Sequence, residues 1–141
     1  MLRNHSHYSL LSSISRCEQI AETFKEYGYS YAGITDVATI SGCVNFIKAC
    51  KDQQIKPVLG TEIILSDNSR LTLICKNYNA WKQILKIISI SNSLENYDDT
   101  PKIKIDDLLA NINPNDFICI DGYVGSKLFS VLFPNIECIF D

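Results

Sequence analysis

The sequence lacks the features that mark membrane, exported and free-standing nucleic-acid-binding proteins. No apolar run approaches the roughly 20 residues that span a bilayer, and the amino terminus has no signal-peptide pattern. The 13 Lys and Arg residues are outnumbered by 16 Asp and Glu residues, which gives a net charge of −3. A nucleic-acid binder would instead show a basic patch. We therefore expect a cytoplasmic protein that makes no membrane contact.

The six cysteines also lack a pattern, because they form no CxxC pair and no other zinc-binding spacing. In a chain without an export signal, scattered cysteines are typically reduced and buried as small apolar side chains. A disulfide-linked scaffold is the alternative. The six are Cys17, Cys43, Cys50, Cys75, Cys119 and Cys138.

The chain does contain a regular alternation of short apolar runs and amphipathic stretches. Its 141 residues, 46% of them hydrophobic, are enough for one domain, 1–141. Strand–helix–strand repetition favours an α/β fold with a parallel sheet or barrel. The chain ends on a strand-like run with no closing helix, so we expect a fragment. Strands are predicted near 2–5, 31–35, 57–64, 71–75, 117–121 and 137–140, and helices over 15–27, 42–53, 80–90, 105–112 and from 125.

Several side chains that commonly bind metals fall at the predicted strand ends. His5 and His7 follow the first strand, Asp36 the second, and Glu62 lies in the third. Side chains at i and i+2 of a strand point the same way, and functional residues gather where parallel strands end. Histidine and carboxylate together bind Zn²⁺, Mn²⁺ or Fe²⁺ and activate water for phosphoester hydrolysis. A lone Asp after a strand is, however, more often a turn former.

Four stretches of the sequence resemble one family over nearly the whole chain and in the right order. They are "HSHYSLL", "AGITD", "GCVNFIKACKDQQIKPVLGTEIIL" and "FICIDGYVGSKL". They look like the N-terminal PHP (polymerase and histidinol phosphatase) domain of the α subunit of bacterial DNA polymerase III. The resemblance implies a distorted βα barrel, here incomplete at its carboxyl end. It also implies that the chain is the first part of a much longer polymerase.

The resemblance also assigns site residues, and two of the expected metal ligands are replaced. The second His of the family's His-x-His motif falls on His5, but the first falls on Arg3. The Asp of the family's "ITDH" motif is Asp36, but the His after it is Val37. The Glu of the Gly-x-Glu motif is Glu62. The resemblance thus implies a degenerate metal-site pocket with no catalytic residue.

The two replacements change the chemistry that the pocket can support. Arg3 keeps its proton and would repel a cation, while Val37 offers no lone pair. We expect Arg3 to pair with Asp36 or Glu62 instead. A metal site built from His5, His7, Asp36 and Glu62 is the alternative, with Zn²⁺ or Mn²⁺ as the ion.

The resemblance implies a mainly structural domain of a DNA-directed DNA polymerase that functions in DNA replication. Its partners would be the rest of the polymerase chain, the proofreading exonuclease subunit, the sliding clamp and DNA. Mg²⁺ would serve the parent polymerase, and this domain would bind no cofactor. Two alternatives stay open. One is an active metal-dependent phosphoesterase or 3′–5′ exonuclease of the same superfamily, and the other is a stand-alone interaction domain.

Overall fold

The structure, a computed structural model, describes residues 2–97 and 99–121. It has the predicted alternation of helices and strands, which confirms the α/β fold class. The helix predicted from 125 and the strand predicted over 137–140 lie outside the described residues. The helices are α1 (Cys17–Glu26), α2 (Cys43–Asp52), α3 (Tyr78–Ser91) and α4 (Ile105–Asn111), and a 3₁₀ turn covers Pro114–Asp116. The strands are β1 (Tyr31–Val37), β2 (Lys56–Ile64), β3 (Arg70–Cys75) and β4 (Phe117–Asp121).

The four strands form one sheet in the order β1-β2-β3-β4, and its strand directions are mixed. β1 and β2 are parallel, with α2 in the crossover between them. β2 with β3, and β3 with β4, are antiparallel. The prediction of parallel strands throughout was therefore wrong. Only residues 65–69 join β2 to β3, whereas a parallel connection needs a crossover of about a dozen residues or more.

The first predicted strand, at 2–5, was also wrong, because this segment has no strand conformation. It still lies along β1. The carbonyl of Asn4 accepts a 2.8 Å hydrogen bond from the Thr35 N–H, and the Asn4 side chain donates to the Gly33 carbonyl at 3.1 Å. Gly33 admits this close approach, because a Cβ there would lie 2.7 Å from the Leu2 carbonyl oxygen. The segment thus packs against β1 without extending the sheet.

The register of the strands separates their side chains onto two faces. Asp36 is in register with Thr61, and Val37 with Glu62. Thr61 is in turn in register with Leu73. Since strand side chains alternate between faces, Asp36, Thr61 and Leu73 share one face. We call it the helix face, because Leu73 packs there in a core with α3. Val37 and Glu62 point to the opposite face, which we call the second face.

Two apolar clusters hold the helices on the sheet. The first joins α1 and α2 to β1 around the fully buried Phe46, and the second joins α3 and α4 to β2 and β3. Five cysteines lie in the described part of the chain, all as free thiols. Cys17, Cys43 and Cys50 are buried and Cys75 and Cys119 are partly buried, while Cys138 lies outside the described residues. Burial raises the pKa of Cys43 to about 12, as expected for an apolar thiol site.

Candidate functional site: a buried carboxylate between two arginines

The centre of the candidate site is Glu62, whose side chain is fully buried on the second face. Two guanidinium groups hold its two oxygens. The Nε of Arg3 donates to Oε2 at 2.8 Å, and its Nη2 lies 2.5 Å from the same oxygen. The Nη1 of Arg70 donates to Oε1 at 2.7 Å. We call Arg3, Glu62 and Arg70 the ion-pair cluster. The expected ion pair between Arg3 and one of the two carboxylates is present, and its acceptor is Glu62.

Sequence reasoning missed Arg70, although the geometry of the hairpin explains its role. Glu62 is in register with Thr72 on the antiparallel neighbour, so Arg70 lies two residues along β3 on the same face. Such diagonal neighbours are within reach of a long side chain. Recognising residues 65–69 as a hairpin turn would have placed Arg70 beside Glu62.

The balance of burial and charge fixes the ionisation of Glu62. Burial raises the pKa of its carboxyl, because the charged form is costly away from water. The hydrogen bonds from Arg70 and Arg3, the charge of Arg3 and the nearby His5 lower the pKa by more. The net result is a pKa below the ordinary value of 4.5. Glu62 is therefore ionised at neutral pH and its charge is already compensated.

His5 lies beside the ion-pair cluster, and Val37 is in register with Glu62. The Nε2 of His5 lies 3.4 Å from Oε2 of Glu62. This Nε2 is buried and has no hydrogen-bond partner among residues 2–97 and 99–121. Val37 is the register partner of Glu62 on β1. The i, i+2 geometry of the first segment is thus realised by Arg3 and His5. His7, by contrast, is exposed and its ring lies 4.4 Å from that of Tyr8.

Asp36 belongs to a different cluster on the helix face. Its Oδ1 accepts hydrogen bonds of 2.6 Å from the Ser6 N–H and from the Ser9 hydroxyl. Its Oδ2 accepts from the Ser6 hydroxyl at 2.7 Å. A Cβ at Gly42 would lie 2.6 Å from Oδ2, so the carboxylate is enclosed. The expectation that Asp36 and Glu62 share one pocket is therefore wrong, because the register of β1 with β2 turns them to opposite faces.

The side chains that surround Glu62 and Asp36 do not fit the metal ion that the PHP resemblance implies. A catalytic zinc site needs about three protein ligands with free lone pairs. Both oxygens of Glu62 are held by guanidinium groups, and those of Asp36 by serines on the other face. Among the described residues of the cluster, His5 Nε2 is the atom with a free position. Within the described ranges, no three His, Cys, Asp or Glu side chains are grouped so that they could hold a metal.

The fold and the site together define an α/β domain in which an N-terminal histidine segment covers a buried glutamate of the sheet. The PHP domain family matches residues 1–138, and the chain belongs to this family. No helix among residues 2–97 and 99–121 is long and apolar enough to cross a membrane.

The chain is similar to curated DNA polymerase III α subunits from several bacteria. The one from Borreliella burgdorferi is 29% identical over 148 residues, covering 95% of this chain and 13% of the relative. The one from Bacillus subtilis is 34% identical over 98 residues, covering 65% and 9%. The one from Chlamydia pneumoniae is 26% identical over 152 residues, covering 98% and 12%. The chain thus spans about a tenth of the length of these relatives.

Two solved structures superpose on about two thirds of this chain and about a third of their own chains. A protein described as a metal-dependent phosphoesterase from Bifidobacterium adolescentis is 16% identical, with a TM-score of 0.48 over 64% of this chain and 33% of that one. An amidohydrolase from Chromobacterium violaceum is 15% identical, with a TM-score of 0.47 over 67% and 37%. The family assignment therefore depends on the sequence comparisons.

Proposed function

We propose that the chain forms the N-terminal PHP domain of a bacterial replicative DNA polymerase, the α subunit of DNA polymerase III. DNA-directed DNA synthesis, with its Mg²⁺ requirement, belongs to the remainder of that polymerase. The proposal is supported by the family match over residues 1–138 and by the similarity to DNA polymerase III α subunits from three bacteria. The remainder of the polymerase chain is then the immediate partner. DNA, the sliding clamp and the proofreading exonuclease are partners through the holoenzyme.

Within that polymerase the domain has a structural role and its pocket binds no catalytic metal. The observation that carries this proposal is the double pairing of Glu62. Arg3 stands where the family's first His ligand would be, and together with Arg70 it donates to both carboxylate oxygens. Replacing a cation by two fixed guanidinium groups keeps the carboxylate charge compensated. It removes the Lewis acid that would activate water.

The two alternatives receive less support. An active phosphoesterase or 3′–5′ exonuclease would need more free ligands than His5 supplies. A stand-alone interaction domain would be expected to resemble short proteins, whereas the chain matches about a tenth of each relative.

An antibody raised against the chain tests the polymerase assignment in the organism that encodes it. On a denaturing gel the antibody should detect a product far longer than 141 residues. The same protein, immunopurified in its native form, should incorporate nucleotides on a primed template. A product of about the size of this chain, without template-directed synthesis, would contradict the assignment. Pre-immune serum is the control.

A further inference from the structure

A groove runs along α1 and the turn that leads from this helix to β1. Its volume is about 410 Å³, which lies within the range of roughly 300–1,000 Å³ found for binding pockets. Ile20 and Phe24 form its buried part, since both belong to the first apolar cluster. Tyr27 and Tyr29 also line it and are 76% and 52% exposed. We call the space between these four side chains the α1 groove.

The turn that ends α1 fixes the positions of the two tyrosines. Gly28 has a φ of +75°. The Tyr29 N–H donates to the Phe24 carbonyl at 3.0 Å and the Gly28 N–H to the Lys25 carbonyl at 2.9 Å, which is the Schellman arrangement. The apolar contact that accompanies this arrangement joins the rings of Tyr29 and Phe24, whose centroids are 5.5 Å apart. The motif therefore explains Tyr29, but it leaves the ring of Tyr27 exposed beside an apolar wall.

The side chains of the α1 groove favour an apolar partner. Within the described residues, no side chain that lines the groove carries a charge, so an ionic ligand would find no counter-charge there. Two of its polar side chains are committed to α1 itself. The Thr23 hydroxyl donates to the Gln19 carbonyl at 2.8 Å, and the Gln19 Oε1 accepts from the Arg16 N–H at 3.0 Å. An uncharged centre with exposed tyrosines is typical of the core of a protein interface.

We propose that the remainder of the polymerase chain packs into the α1 groove, with an apolar side chain of that remainder against Tyr27. This inference rests on the proposed function and adds to it the surface of the domain that the remainder contacts. The chain covers 13%, 9% and 12% of three relatives, so most of such a polymerase would lie outside it. A segment of the same chain is held at a high effective concentration, and it therefore occupies a groove that a separate protein would fill only weakly.

Radical labelling of the full-length polymerase tests whether the α1 groove is covered. Hydroxyl radicals oxidise exposed tyrosine rings, and mass spectrometry locates the label. Tyr78 on α3 is the matched control, because it is 71% exposed and Tyr27 is 76% exposed. With each residue normalised to its labelling in the unfolded polymerase, Tyr27 should be labelled at least about fivefold less than Tyr78, because contacts at an interface centre exclude water. Equal labelling of the two tyrosines would overturn the inference.

A cross-link identifies what covers Tyr27. The polymerase that carries Tyr27→p-benzoylphenylalanine is irradiated after purification, alone and with the exonuclease subunit added. The expected product keeps the gel mobility of a single chain and joins position 27 to a peptide from beyond residue 141. A cross-link to a second copy, to the exonuclease subunit or only within residues 1–141 would overturn the inference, and so would the absence of any cross-link.

These outcomes are distinguishable from a failure of the proposed function. If the antibody detects only a product of about the size of this chain, the proposed function fails and this inference fails with it. If a template-directed polymerase is recovered and its Tyr27 is labelled as fast as Tyr78, only the present inference fails.

Discussion

Removing both arginines from the ion-pair cluster should destabilise the domain by more than the two single changes together. A charge-assisted hydrogen bond contributes about 1.5–3 kcal/mol. Arg3 and Arg70 are nearly half exposed, so each single change to Ala should cost only about 1 kcal/mol. In each single variant the other guanidinium still compensates Glu62. The double variant leaves a buried carboxylate with no cation, which costs about 3–5 kcal/mol.

A double-mutant cycle by urea unfolding measures this coupling. We expect about 1–3 kcal/mol of non-additivity, within the range found for residues in one network. The melting temperature should fall in parallel, by about 3–5 °C for each kcal/mol of unfolding free energy lost in a domain of this size. Lys86→Ala, an exposed cation on α3, is the matched control and should change stability by less than about 0.5 kcal/mol.

The stability of the double variant should also depend on pH in the opposite direction to that of the wild-type chain. Without the arginines, burial raises the pKa of Glu62 and of the lowering causes only the nearby His5 is left, so we expect a pKa above the unfolded value. The folded state then binds a proton more readily than the unfolded chain, so stability should increase as pH falls from 7 towards 5. The wild-type chain should show no gain from Glu62 in that window. Additive single effects, or equal pH profiles for the two proteins, would refute the reasoning.

Three further predictions follow from the same structure. In the wild-type chain the pKa of Glu62 lies below its ordinary value of 4.5. The contribution of Glu62 to the free energy of unfolding should therefore be complete above pH 4.5 and be lost as acid protonates the folded state. Glu62→Gln should flatten this part of an acid-unfolding profile. A Cβ at Gly60 would clash with the Leu73 carbonyl, whereas Gly28 has open space but φ of +75°; Gly60→Ala should cost about 2–3 kcal/mol in urea unfolding and Gly28→Ala about 1. Burial raises the pKa of Cys43 to about 12, so iodoacetamide at pH 8 should label it only after unfolding, as peptide mass spectrometry can show.

A specific result would contradict each of these three predictions. An unchanged acid profile in Glu62→Gln, a larger loss at Gly28 than at Gly60, or rapid native labelling of Cys43 would each show that the local packing has been misjudged.

The positions of the helices and strands were predictable from the sequence, because they depend on local patterns of apolar residues. All four described helices and strands β1 to β4 lie where periodicity places them. The direction of β3 was predictable in principle, since five residues cannot form a parallel crossover. The direction of β4 was not, because residues 76–116 separate it from β3 and a chain of that length permits either pairing.

The contact of Arg3 with a carboxylate was expected from the PHP resemblance and not from a local pattern, since Arg3 and Glu62 are 59 residues apart. The resemblance left either Asp36 or Glu62 as the partner, and the structure shows Glu62. The separation of Asp36 from Glu62 depends on the register of β1 against β2, which shifts by a whole face for each residue of slip. Residues 32–36 and 60–64 are buried on both faces of the sheet, so no alternation of apolar and polar residues specifies that register. The two carboxylates were therefore wrongly placed together.

Metal titration of two proteins tests most directly whether guanidinium groups replace a metal ion in this domain. One is the wild-type chain and the other is Arg3→His combined with Val37→His, which restores the family's two missing ligands beside Glu62. We predict no tight binding of Zn²⁺ or Mn²⁺ and no phosphoester hydrolysis by the wild-type chain. The double variant should bind about one equivalent of Zn²⁺ or Mn²⁺, with a higher affinity than the wild-type chain has. A wild-type chain that already binds one equivalent tightly and hydrolyses a phosphoester with it would contradict the account.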